Sequence, residues 1–343
     1  MIARVCIKLA VAAVLCATVT APVAASAATP LTLINGWKKY SSSSAKPAIS
    51  AIKGVAYLQG AIRTSGTNNQ PFVLPAAFRP AAQVYTKIDL CNAHNGRLDI
   101  SPNGTVQVEV ENNDFSQAQC FTSLDGVSFA LSNDGYKVAK LQNGWGNTVY
   151  GTAAPATHST SGIVFLEGAM STSGTNTIAF TLPTNDRPSA TVYVPADMFG
   201  ATNGRLVIGT DGSVAVQSET DNNLAFGFTS LDGISFAINS SGFTPISLIN
   251  GWTPYGTRNP AVRLSGKLVQ FQGSIATSGT NTVPFILPAN MHPKKRVYVP
   301  IDLCGAANGR LDIGTDGTAN VEVEGDFSSA QCFTSLEGVS FLR

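Results

Sequence analysis

The chain has 343 residues, 44% of them hydrophobic and only 13% charged, with 32 Gly and 18 Pro. That much turn-forming residue with so little charge excludes both a disordered polyampholyte and a protein built of long helices. Net charge is +1, and removal of a leader carrying Arg4 and Lys8 leaves about −1, which offers no electrostatic footprint for nucleic acid or an anionic membrane.

Read from the N-terminus, residues 1–8 carry two positive charges, an apolar stretch comes next, and Ala25-Ser26-Ala27 supplies a small-x-small cleavage signature. The pattern predicts a signal peptide over residues 1–27 and a mature chain from Ala28. The apolar stretch is interrupted by threonines and Pro22 and falls short of the roughly 20 residues that a membrane anchor needs. The expected location is therefore secreted or extracytoplasmic, with no transmembrane anchor, where disulfides form.

The mature chain is one unit written three times. Asn-Gly-Trp begins at Asn35, Asn143 and Asn250, and Thr-Ser-Gly-Thr-Asn at Thr64, Thr172 and Thr277. Phe-x-Leu-Pro then begins at Phe72, Phe180 and Phe285, Asn-Gly-Arg-Leu at Asn95, Asn203 and Asn308, and Phe-Thr-Ser-Leu at Phe121, Phe228 and Phe333. The period of about 107 residues is too long for a solenoid repeat and matches a domain that buries its own core. Within a unit, 54–60 and 105–110 alternate apolar with small or polar residues, as half-buried strands do. Asn103-Gly104, Asp211-Gly212 and Asp316-Gly317 suit hairpin turns. Seven or eight strands per unit point to an all-β chain of three tandem β-sandwich or jelly-roll-like domains over 28–131, 140–238 and 246–343, joined by short polar linkers.

The copies provide an internal comparison. Cys91 and Cys120 of the first match Cys304 and Cys332 of the third, while the second has Phe199 and Gly227 in their places. Joint loss marks a bonded pair, so disulfides are expected at Cys91–Cys120 and Cys304–Cys332. His94, His158 and His292 fall at three different places in the unit, so no catalytic histidine recurs beside a nucleophile. Asp89, Asp197 and Asp302 recur, as do Glu111, Glu219 and Glu324, but Arg97, Arg205 and Arg310 recur beside them, so a structural charge pair or surface turn is expected in preference to a hydrolytic carboxylate pair or a calcium site. No enzyme activity, cofactor or metal is expected. Trp37, Trp145 and Trp252 occur once per unit, each followed by a tyrosine, Tyr40, Tyr150 and Tyr255. These six either close the end of the core or form a ligand-binding set that stacks on sugar rings.

The order Asn-Gly-Trp, Tyr40, Pro47-Ala48, a Gly-rich strand ending at Gly60, Ser-Gly-Thr, Leu-Pro and Arg79-Pro80 resembles the C-terminal head domains of bacteriophage tail-fibre and receptor-binding proteins. The resemblance covers about the first half of each unit. It implies trimerising β-sandwiches that bind bacterial surface glycans without catalysis. This sequence departs from that pattern in its leader, its cysteines and its three units in one chain, and the third copy has His292-Pro293 in place of Arg-Pro. The expected function is an exported, non-catalytic binding or adhesin-like protein, with a cell-surface or extracellular polysaccharide as partner. The alternative is a structural component of an envelope or extracellular assembly. Joins of about eight residues permit either a flexible string of independent domains or a pseudo-threefold cluster of the three copies, and the cluster would explain why Asn95, Asn203 and Asn308 are shared.

Overall fold

The computed structural model describes residues 28–147 and 150–343, and the expected signal peptide over 1–27 lies outside the described residues. The first copy contains eleven strands: β1 (Thr29–Pro30), β2 (Lys38–Lys39), β3 (Ala48–Ile52), β4 (Val55–Gln59), β5 (Ala61–Arg63), β6 (Phe72–Val73), β7 (Val84–Asp89), β8 (Asn95–Ile100), β9 (Thr105–Val110), β10 (Thr122–Ser123) and β11 (Ser128–Ala130). A short helix, α1 (Ser116–Cys120), precedes β10. One sheet runs β1-β3-β4-β11. The strands β10-β5-β2 and β6-β9-β8-β7 are joined through a bridge between Leu90 and Thr122 to make the opposing layer. In the second copy the equivalent seven strands form one continuous sheet. The chain is all-β with antiparallel sheets, and no helix among the described residues is long and apolar enough to cross a membrane.

Alternation explains the layers. Strand β9 buries every second residue, and Val106, Val108 and Val110 meet Ile49, Ala56 and Leu58 of the other sheet in one core. The second and third copies have their own equivalent cores, around Phe180 and Phe285. The β8–β9 hairpin turns at Gly104, whose φ of +91° and whose distance from Leu74 O, 2.8 Å for an added Cβ, both require glycine.

Two expectations change. The count of seven or eight strands is too low, because β1, β2, β6 and β10 have two residues each and are too short to show a period. The segments expected as linkers also carry structure: Lys137–Val138 pairs with Thr157 and Ala156, and Thr244–Pro245 with Val262 and Ala261, as β1 pairs with Ile49 and Ala48. Each is the first strand of the copy that comes after it. The cysteines stand as expected, with Cys91–Cys120 and Cys304–Cys332 at disulfide distance and Cα atoms 5.7 Å apart in both pairs.

The copies close on one another in a cycle. Strand β7 and its equivalents, Val192–Met198 and Val297–Asp302, pack together. Asn95 Nδ2 donates to Ala201 O at 2.7 Å, Asn203 Nδ2 to Ala306 O at 2.7 Å, and Asn308 Nδ2 to Ala93 O at 2.6 Å. Each accepting alanine has a positive φ, 58° at Ala93, 59° at Ala201 and 65° at Ala306, a conformation that alanine avoids unless its surroundings hold it. In the same rotation Arg97 pairs with Asp197, Arg205 with Asp302 and Arg310 with Asp89. Ser123, Ser230 and Ser335 donate to the carbonyls of Tyr298, Tyr85 and Tyr193. The last copy thus contacts the first as the first contacts the second.

One residue breaks the symmetry. Lys87, Pro195 and Pro300 hold one register position, opposite Arg97, Arg205 and Arg310. The Lys87 ammonium donates to Asn203 Oδ1 at 2.6 Å and to Asn95 Oδ1, while Asn308 Oδ1 is buried with no hydrogen-bond partner. Burial pushes the lysine below its usual range, and Glu111, Glu219 and Glu324, one from each copy, oppose that shift. An ammonium has three equivalent donors and so fits an axis lined by three amide oxygens. One suffices, since a second would add like charge at the same point. Lys87→Pro should therefore lower the melting temperature by several degrees, given a loss of about 2 kcal/mol for stranded buried acceptors. The double variant Lys87→Pro/Pro195→Lys, which supplies the ammonium from the second copy, should recover most of the loss. Calorimetry that finds no loss, or no recovery, refutes an axial role.

Candidate ligand-binding clefts

The expected ligand set divides into an inner and an outer half. Trp37, Trp145 and Trp252 are only 4%, 5% and 3% exposed. Their Nε1 atoms donate to the carbonyls of Asn68, Asn176 and Asn281, each at 2.8 Å, and their rings meet Phe115, Phe226 and Phe327 edge-on. The preceding Asn-Gly pairs, with positive φ at both residues, turn the chain so that the indoles point inward. The tryptophans are therefore core residues with no face free to stack on a ligand, which corrects their place in the ligand-binding set.

The tyrosines lie at the seams between copies. Tyr150 and Tyr255 are 44% and 41% exposed, and Tyr40 is half-buried. Each meets the phenylalanine that opens Phe-Thr-Ser-Leu in its own copy: Tyr40 on Phe121, Tyr150 on Phe228 and Tyr255 on Phe333, with centroids 4.7, 5.5 and 4.9 Å apart. The same phenylalanines meet a tyrosine from the neighbouring copy, Tyr298, Tyr85 and Tyr193 respectively. A guanidinium lies over each pair, from Arg310, Arg97 and Arg205. Each seam thus holds three rings and one arginine in fixed order. At the seam of the second and third copies, Tyr193, Arg205, Tyr255, Cys304, Gly305 and Phe333 line a shallow cleft of about 80 Å³. At the seam of the first and second, Phe199 stands where a cysteine would be and is 46% exposed, so an additional ring replaces the disulfide. The sequence gives no local sign of the roles of Tyr85, Tyr193 and Tyr298, because their phenylalanine partners lie in another copy; their only signal is recurrence after Val84, Val192 and Val297.

The remaining polar residues have structural partners. Asp89, Asp197 and Asp302 bond to arginines of another copy, and not to the arginine eight residues on in the same hairpin. Glu219 and Glu324 accept from Asn203 and Asn308. His94 contacts Glu324 across a seam, His158 contacts Gly135 O, and His292 contacts Leu287 O, where Arg79 and Arg187 donate to Leu74 and Leu182 in the other copies. Among the described residues, no three His, Cys, Asp or Glu side chains gather as a metal-holding group.

Each seam also contains a buried acid. Asp125 accepts from Gly60 N at 2.8 Å and Tyr298 N at 3.4 Å, and Asp232 accepts from Gly168 N at 2.9 Å and Tyr85 N at 3.3 Å. Burial pushes both up to about 7. The third copy has Glu337 there, held by Arg258 Nε at 2.5 Å and Nη2 at 2.6 Å. No family model matches the chain, and no curated protein or solved structure matches it.

An acid whose folded-state pKa lies above its unfolded value binds more protons when folded, so its contribution to stability is complete below pH 4 and declines as pH rises through about 7. The melting temperature should accordingly fall between pH 5 and pH 8. In Asp125→Asn/Asp232→Asn, where neither site can ionise, the fall should shrink. Thermal scans that give both proteins the same pH slope contradict this assignment.

Proposed function

We propose that this chain is an exported, non-catalytic binding protein made of three tandem β-sandwich domains closed into a pseudo-trimer, and that it recognises a cell-surface or extracellular polysaccharide. The observation that carries the reading is the exposure of Tyr150 and Tyr255 at equivalent seams, each braced by a phenylalanine and an arginine-covered tyrosine. A braced aromatic ring offers apolar area to a sugar face at little entropic cost on binding, and its hydroxyl offers a polar edge. Two such positions around one axis, with Tyr40 half-buried at the third seam, suit a repeating polymer, because linked weak sites gain avidity through effective concentration. A closed group of three units is also the arrangement that the tail-fibre head resemblance implies.

The alternative, a structural component of an envelope or extracellular assembly, draws on Val73 and Ile286, which are 41% and 54% exposed at equivalent positions on edge strands. Apolar edges of that kind suit contact with another surface. A glycan array separates the two readings. Mature protein should bind a subset of polysaccharides, and Tyr150→Ala/Tyr255→Ala should weaken that binding at least tenfold while leaving the melting temperature within a few degrees. An array on which wild type binds nothing favours the structural reading.

A further inference from the structure

The seam between the third and first copies differs from the other two in one consistent direction. It borders an open pocket of about 320 Å³ lined by Lys46 of the first copy and by Lys267, Lys294, Lys295 and Arg343 of the third, with Ser50 and Gln59 on the wall and Asp125 as its one acidic side chain. The alignment of the copies sets Ala154 and Asn259 at the position of Lys46, Gly54 and Gly162 at that of Lys267, Ala81 and Ser189 at that of Lys294, Ala82 and Ala190 at that of Lys295, and Leu131 and Ile238 at that of Arg343. None of the five cations is shared, so the fold does not require them. In a chain whose net charge is only +1, five of its 22 Lys and Arg residues gather at one cavity.

The cavity is open for a reason legible in the same alignment. Where the second copy places Tyr136 against His158, and the third places Phe243 under Arg263, the first has Ala28 and Ser50. Small residues leave the space, and lysines surround it. Its walls are fixed in place: Lys295 Nζ donates to Ser42 O at 3.0 Å, Arg296 N to Ser43 O at 3.1 Å, and the Arg343 guanidinium bonds Asn290 O. Both oxygens of Asp125 accept backbone N–H groups, so its hydrogen bonds go to the backbone and not to the lysines. Like charges held close together oppose folding and association, so their convergence from two distant parts of the chain calls for a ligand of opposite sign.

We infer that this seam is a binding site for an anionic sugar segment, which makes the proposed polysaccharide an acidic one, and the inference rests on the polysaccharide-binding function proposed for the chain. The cavity is larger than a single phosphate requires, and its mixture of ammonium groups with a serine hydroxyl and a glutamine amide suits a sugar that presents both carboxylate or sulfate groups and hydroxyls. The other two seams, filled by Tyr136 and Phe243, lack the site. One chain therefore has one acidic-sugar site among its three seams.

The test is calorimetric titration of the mature full-length protein with hexagalacturonate and with a heparin-derived hexasaccharide, using maltohexaose as the neutral control. Wild type should bind at least one acidic probe and not the neutral one, and binding should weaken as sodium chloride screens the charges. Lys46→Ala/Lys294→Ala, which changes two exposed side chains with no hydrogen bonds across the seam, should weaken that binding at least tenfold at an unchanged melting temperature. Tyr150→Ala/Tyr255→Ala is titrated beside it. If the tyrosine variant binds normally while the lysine variant does not, the basic site stands and the aromatic clefts fall. If the lysine variant binds normally, the basic site falls whatever the tyrosine variant does. Absence of binding to both acidic probes also overturns the inference, as does full competition by inorganic phosphate at matched charge or tighter binding of a thymidine oligonucleotide.

Discussion

A side-chain amide reaching from one copy to a backbone carbonyl of the next is the contact on which the arrangement depends. Asn95, Asn203 and Asn308 each donate to an alanine carbonyl that a left-handed backbone turns toward them. Neither half is stable alone. A left-handed alanine costs about 1–3 kcal/mol, and a buried amide without a partner costs a similar amount. Together each removes the other's penalty, which ties the local backbone of every copy to the presence of its neighbour. The Arg–Asp pairs in the same rotation add register more than energy, since the desolvation of two buried charges offsets much of their attraction. Their carboxylates are 1% exposed, so a copy placed out of register would leave three of them buried without a cation.

The repeat made much of this fold legible. Strand alternation in 105–110 and the Asn103-Gly104 turn correspond to β9 and its hairpin, and the paired loss of cysteines in the second copy gave the two bridges. Local pattern was silent where structure is made by partners far away in the chain. Strands of two residues carry no period, so Lys137–Val138 and Thr244–Pro245, the equivalents of β1, read as linker. Asp89 stands eight residues before Arg97 and looks like its partner, yet Arg97 binds Asp197 and Asp89 binds Arg310, because β7 and β8 turn these side chains toward different neighbours. Sequence spacing could suggest that the three kinds of charged residue belong together, but not that they belong to different copies.

The tryptophans and tyrosines show the same limit on a smaller scale. Both recur once per copy, and nothing in composition distinguishes an aromatic residue that closes a core from one that faces solvent. The difference arises after the Asn-Gly turn. The indole comes directly after the glycine and falls back over the sheet, with its N–H taken by a carbonyl about thirty residues on. The tyrosine lies beyond that first inward position, where the chain has crossed to the seam, and its ring finds a phenylalanine instead. Recurrence identified the residues that matter to the unit; only the path of the backbone separated those that hold it together from those that it presents.

Joining three copies in one chain has a consequence that three identical subunits cannot have. In a symmetric trimer every substitution appears three times around the axis, so a lysine there would set three ammonium groups against each other, and a cationic seam would be cationic everywhere. Here Lys87 occurs once, with Pro195 and Pro300 at the equivalent register. Cys91–Cys120 and Cys304–Cys332 occur in two copies, and Phe199 takes the place of a cysteine in the one between. The five cations occur at a single seam. The contacts that close the cycle are the ones kept threefold, while the differences gather at the axis, the cysteine loops and the seam cavity. Closure constrains all copies equally, whereas charge at one axial point or one cavity is tolerated only where it need not be repeated, and a fused chain is what makes that asymmetry available.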